Sequence, residues 1–186
     1  LSVIATDVAG NISSPALGDG VLVDLTDPTA GNVFDGTTND INYTGSDSSL
    51  TISWSGFSDT RSSIASYSLL IKDDLDNNIL SWTDIGDTNS WTATNLSLNN
   101  ATTYHISLRA VDGAGNLSPV VITNGIVVDT EIPKTGIILD GSVGDMDWHN
   151  SDTTLTFTWH DFDDSLSGIS YYEYAVGTNT DSTELL

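Results

Sequence analysis

The run Leu96-Ser-Leu98-Asn-Asn100-Ala-Thr-Thr-Tyr104-His-Ile106-Ser-Leu108-Arg-Ala110-Val-Asp112-Gly-Ala-Gly115-Asn116-Leu-Ser118 decides the fold of this 186-residue chain. Tyr104, Ile106, Leu108 and Ala110 recur every second residue, the pattern of a strand with one face in a core. His105 is therefore expected to point outward. Upstream, Leu98 to Tyr104 has the form of a tyrosine corner, in which a hydroxyl near the start of the sixth strand of a sandwich bonds backbone a few residues earlier. Downstream, Asp112 to Asn116 reads as a tight hairpin. Glycine there can take positive φ, while Asp and Asn side chains bond nearby backbone.

The same period of two extends to Leu50, Ile52 and Trp54, to Tyr67, Leu69 and Ile71, and to Ile126 and Val128. Shorter strands are expected around Phe34, Ile79 to Trp82 and Trp91, which makes about seven, separated by clusters of Gly, Asn, Asp and Ser. No long stripe with a 3.6-residue period occurs, so helices should be rare or absent. An all-β sandwich follows.

The chain also matches itself at a displacement of 105 residues. Ala5-Thr-Asp7-Val-Ala-Gly10-Asn11-Ile-Ser13 returns as Ala110 to Ser118, and Pro28, Gly31, Asp35, Asp40, Trp54, Phe57, Asp59 and Tyr67 fall on Pro133, Gly136, Asp140, Asp145, Trp159, Phe162, Asp164 and Tyr172. Identity holds at 27 of the 81 overlapping positions. The segments Asp24 to Pro28 and Asp129 to Pro133 end apolar runs with a proline that no central strand accommodates, and they read as linkers. The expected organisation is the last strands of one module in 1–27, a complete sandwich in 28–132, and the first strands of another in 133–186.

Composition removes whole classes of function. Against 26 Asp plus Glu stand four Lys plus Arg, a formal charge of −22 that repels phosphate backbones and anionic lipid surfaces. Nucleic acid is excluded as a partner, and no apolar run is long enough for membrane insertion within this segment. No leader of the secretory kind opens the sequence. With no Cys there are no disulfides, thiolate metal sites or cysteine nucleophiles. Nucleophile elbows, His-Glu-x-x-His and phosphate-binding glycine loops are missing, and His105, His149 and His160 do not cluster in sequence. The chain is not expected to be an enzyme.

At this point the sequence resembles the fibronectin type III-like and immunoglobulin-like tandem repeats of large bacterial surface and secreted proteins. The resemblance rests on Trp54-Ser-Gly-Phe57-Ser-Asp59 with Ser62 to Tyr67, on Thr103-Tyr104 through Ser118, and on the Asp129 linker. It implies an extracellular, non-catalytic repeat, and in such repeats calcium between domains is one way to stiffen a stalk.

Two readings of Asp-x-Ala-Gly-Asn stand side by side. Asp7, Asn11, Asp112 and Asn116 can be turn residues alone. They can also join the linker aspartates Asp24 and Asp129 of the same copy as oxygen ligands for calcium, a hard cation. The other acidic groups, Asp35, Asp40, Asp47 and Asp59 with their counterparts, read as solvated loop residues. Asp73 to Asn78 imitates an EF-hand loop but has Ile79 where glycine is required and Ile85 where glutamate is required. Trp54, Tyr67 and Tyr104 fall in core register, which leaves Trp82 and Trp91 as the aromatics of the complete module to test for ligand contact.

The expected role is a structural and adhesive stalk segment of a bacterial surface or secreted protein, extracellular, its partners being neighbouring modules of the same chain and an unidentified surface carbohydrate or protein. Two alternatives stay open. One is an accessory module of an extracellular polysaccharide-active enzyme. The other is a filament or surface-layer subunit in which copies complete each other by strand exchange.

Overall fold

The computed structural model describes residues 1–177, and among these there is no helix. The central module carries nine strands: β3 (Asn32–Asp35), β4 (Tyr43–Thr44), β5 (Ser49–Ser55), β6 (Ile64–Asp73), β7 (Asn78–Asp84), β8 (Ser90–Thr94), β9 (Thr102–Asp112), β10 (Val121–Ile122) and β11 (Ile126–Val128). Preceding it are β1 (Ser2–Val3) and β2 (Ala16–Leu17). Following it are β12 (Ile137–Leu139) and β13 (Thr158–His160).

One sheet of the module has the order β3-β5-β8. The other runs β4-β11-β9-β6-β7, with β10 also on β9. All pairings are antiparallel except that of β4 with β11, where Tyr43 faces Val127. Period two in the sequence becomes the two faces of each sheet. Leu50, Ile52 and Trp54 from β5 meet Tyr67, Leu69 and Ile71 from β6, Tyr104, Ile106, Leu108 and Ala110 from β9, and Ile126 and Val128 from β11 in one core. At about 25 cal/mol per Å² of apolar surface removed from water, this cluster is the main source of stability. The Trp54 and Tyr67 rings lie 5.1 Å apart, and Phe57 meets Tyr67 edge-on at 5.5 Å.

The tyrosine corner forms as expected. Tyr104 is fully buried and its hydroxyl oxygen accepts the Asn99 N–H at 2.7 Å. His105 faces out of the sheet, its Nδ1 3.4 Å from the Thr123 carbonyl. Trp91 packs against the core. Trp82 lies on the outer face beneath Arg109, whose guanidinium carbon sits 4.2 Å from the ring centroid.

The flanking segments are thinner. β1 and β2 form a two-residue ribbon, and Val3, Leu17 and Val23 are exposed. β12 pairs with β13 so that Ile137 faces His160, as Asn32 faces Ser55 in the central module. Gly31 and Gly136 permit these pairings. A Cβ at Gly31 would stand 2.1 Å from the Ser55 carbonyl oxygen, and one at Gly136 2.3 Å from that of His160. β13 begins at Thr158. Among the described residues β13 pairs with β12, where β5 of the central module pairs with both β3 and β8.

Candidate metal centre

The Asp-x-Ala-Gly-Asn hairpin is self-contained. Asp112 Oδ1 accepts the Asn116 backbone N–H at 2.8 Å, and Oδ2 accepts Asn116 Nδ2 at 2.8 Å. Asp7 and Asn11 make the same pair of bonds at 2.7 Å each. So do Asp73 and Asn77, at 2.8 Å each, in the loop that imitates an EF-hand. There the positive φ comes from Asp76 at 67°, in the place of Gly10 at 91° and Gly115 at 92°. Aspartate and asparagine four residues apart are therefore accounted for by turn chemistry in all three hairpins. At Asp7 and Asp73 these bonds, led by the asparagine side chain, hold the carboxyl below its usual range. At Asp112 burial opposes ionisation, but the Asn116 bonds outweigh it and the net shift is also downward.

What the hairpin does not explain is a group of three carboxylates around it. Asp24, Asp59 and Asp112 each direct an oxygen to a point where all three lie within 4.8 Å of one another. Asp24 and Asp112 are 7% and 2% exposed. Asp24 Oδ1 accepts the Thr26 N–H at 2.9 Å, the main cause of its lowered pKa, whereas Asp24 Oδ2 is buried and has no hydrogen-bond partner. Asp59 Oδ1 is taken up by the N–H groups of Arg61, Ser62 and Ser63 at 2.8 to 3.1 Å, which fixes the carboxylate in place. The buried Ser62 hydroxyl stands beside Asp24 and Asp112. Asn116 Nδ2 reaches the Asp24 and Thr26 carbonyls at 3.3 and 3.4 Å, tying the linker to the hairpin.

Among the described residues no lysine or arginine forms a salt bridge with this cluster. Three like charges at such range repel, and a buried carboxylate oxygen with no donor is costly. A hard divalent cation relieves both, because it takes several oxygen ligands from carboxylates, hydroxyls and carbonyls. The donor set fits that group: Asp24, Asp59 and Asp112, with the Ser62 hydroxyl beside them.

This geometry corrects the pairing expected from sequence. The Asp112 hairpin meets Asp24, the linker that enters the module, and not Asp129 of its own copy. β11 runs antiparallel to β9 with Val128 opposite Thr102, so Asp129 emerges at the far end of the strand from Asp112. Ten steps of about 3.3 Å separate those ends by roughly 33 Å. Asp129 instead accepts the Ser167 N–H at 3.1 Å, and Asp164 Oδ1 accepts the N–H groups of Leu166, Ser167 and Gly168, just as Asp59 serves its own loop. Asp7 and Asn11 are exposed and bond each other. Asp59, read from sequence as a solvated loop residue, is the residue that was missed. Its signal was present in the match of Asp59 and Ser62 to Asp164 and Ser167.

The depression between Gly36 and Ile41 on one side and Ser46 and Thr51 on the other is lined by no ionisable side chain.

Residues 39–124 match the family model described as the Fibronectin type III domain. Residues 39–124 form a fibronectin type III domain. Among solved structures, similarity extends to the twitchin kinase region from C. elegans, 14% identical, covering 57% of this chain and 17% of that one at a TM-score of 0.43. A second, titled "Myokine structure", is 15% identical and covers 54% of this chain and 97% of that one at a TM-score of 0.34. The chain thus spans about 17% of the length of the twitchin structure. No curated protein matches the sequence. Fibronectin type III domains are generally non-catalytic and often extracellular modules, and no helix of the described residues is long and apolar enough to cross a membrane.

Proposed function

We propose that this chain is a non-catalytic structural segment of a tandem array, an extracellular stalk that projects an adhesive region of a bacterial surface or secreted protein, and that calcium stiffens its joints. The reading is carried by one observation. A linker residue, Asp24, places a buried carboxylate oxygen with no partner against Asp59 and Asp112 of the following fibronectin type III domain. A cation held there ties the linker to the body of the domain, and a joint that was a hinge becomes a fixed angle. The repeat at 105 residues extends the same logic along the array, since Asp129 and Asp164 take the places of Asp24 and Asp59. Neighbouring modules are then the principal partners, and the −22 charge keeps exposed sheet edges of separate chains apart.

The test is thermal unfolding with small-angle scattering on a chain carrying two complete modules, titrated with Ca²⁺ against EDTA. Calcium is expected to raise the melting temperature and lengthen the particle. If neither moves, the carboxylates form no metal joint and the segment is a passive spacer.

A further inference from the structure

Asp35 has no part in the metal centre, yet it is the most thoroughly enclosed carboxyl in the described chain. It ends β3, is 0% exposed, and neither of its oxygens has a hydrogen-bond partner. Its backbone is fixed on both sides: its N–H donates to Asp40 Oδ1 at 3.0 Å and its carbonyl accepts the Ile41 N–H at 2.7 Å. The side chain faces the other sheet, toward the Thr123 hydroxyl and the Gly125 N–H in the β10–β11 connection. That connection is itself held against β9. Thr123 Oγ1 accepts the Ile106 N–H at 3.1 Å, and a Cβ at Gly125 would stand 2.7 Å from His105. The titratable groups facing Asp35 are Asp40 from the β3–β4 turn and His105 from β9. β5, β10 and residues 123–125 contribute none.

We propose that Asp35 is a proton-controlled clasp between the two sheets. Neutral, the carboxyl both donates to and accepts from the Thr123 hydroxyl, and the seam between β3 and the 123–125 connection closes. Ionised, it is a buried anion beside Asp40, where the Thr123 hydroxyl, the Gly125 N–H and His105 offset only part of the cost of burial, and the seam loosens. Burial accordingly pushes its pKa up to about 6. Because the folded value lies above the unfolded one, the folded state binds the proton more tightly. The clasp contributes fully below the unfolded value of 3.8 and is lost as pH rises from there through about 6.

The test is urea unfolding of the full chain in EDTA between about pH 4.5 and 8, alongside the carboxyl-carbon NMR titration of Asp35. The folding equilibrium constant is expected to fall by about 30-fold across that range, levelling off once pH passes about 6. Asp35→Asn should keep one value throughout, and His105→Gln should retain the fall. An equal fall in Asp35→Asn, or its disappearance in His105→Gln, overturns the clasp. So does an Asp35 carbon that titrates near the ordinary value of about 4 in the unmutated chain, a readout that needs no variant to fold.

Discussion

Replacing Tyr104 by Phe removes one oxygen and tests the corner on which the crossing from β8 to β9 depends. That crossing is held at few points: Leu96 N–H to the Ser48 carbonyl at 3.0 Å, Leu98 N–H to the Asp47 carbonyl at 2.9 Å, Asn99 N–H to the Tyr104 hydroxyl at 2.7 Å, and Ala101 N–H to the Val128 carbonyl at 2.8 Å. The ring stays buried in Tyr104→Phe, so apolar packing is retained and only the acceptor is lost. An amide left without its partner costs about 1–3 kcal/mol, and water reaching the exposed Asn99 places this site in the lower half, about 1–2 kcal/mol. For a module of this size that lowers the melting temperature by roughly 5–10 °C. Urea unfolding should show a lower midpoint with an unchanged slope, since the buried surface is the same. Hydrogen exchange at the Asn99 amide should accelerate more than at the amides of β6. A change below about 0.3 kcal/mol, or Asn99 exchange that does not move, would refute the assignment of the loop's position to this bond.

Gly31→Ala is expected to destabilise by about 1–3 kcal/mol in thermal unfolding, because the added methyl meets the Ser55 carbonyl and the Phe57 backbone, which cannot give way, as well as the Phe57 ring. Asp24→Asn should abolish the calcium-induced rise in melting temperature and leave the metal-free domain no less stable, whereas Asp129→Asn should leave the response of the Asp24 joint intact. In acid the sign reverses from that of the clasp: Asp24, Asp112 and Asp164 have folded pKa values below the ordinary 3.8, so their contribution is present above that value and lost as pH falls through the lowered ones, which a circular dichroism titration will register as acid unfolding.

The strands were legible because each carries one buried and one exposed face, and burial writes period two into residues such as Leu50, Ile52 and Trp54. The corner was legible because Tyr104 must stand at a fixed distance before its strand's apolar series. The acidic cluster was legible only in part. Asp112 and Asn116 announce a turn, and the same bonds recur at Asp73 and Asn77 far from any linker, so the motif itself does not report a metal. Which linker meets the hairpin depends on the direction in which β11 leaves the sheet, a property of topology and not of local spacing. Asp59 looked like any loop aspartate until the fold brought it beside Asp24. The burial of Asp35 was hidden for a related reason: it is covered by residues 123–125, nearly ninety positions away.

The parallel pairing of β4 with β11 bears on how the domain would respond to tension. Pulled from its two linkers, β11 is drawn along its own length past Tyr43 and Thr44 on one side and Thr102 to Tyr104 on the other. The bonds from Val127 N–H to the Asn42 carbonyl, Asp129 N–H to the Thr44 carbonyl and Ala101 N–H to the Val128 carbonyl lie across that direction. They are loaded together in shear and not opened one after another like a zip. Rupture then waits for several bonds to fail at once, a slow forced-unfolding step whose rate, and not the equilibrium stability, sets how long the domain holds under load.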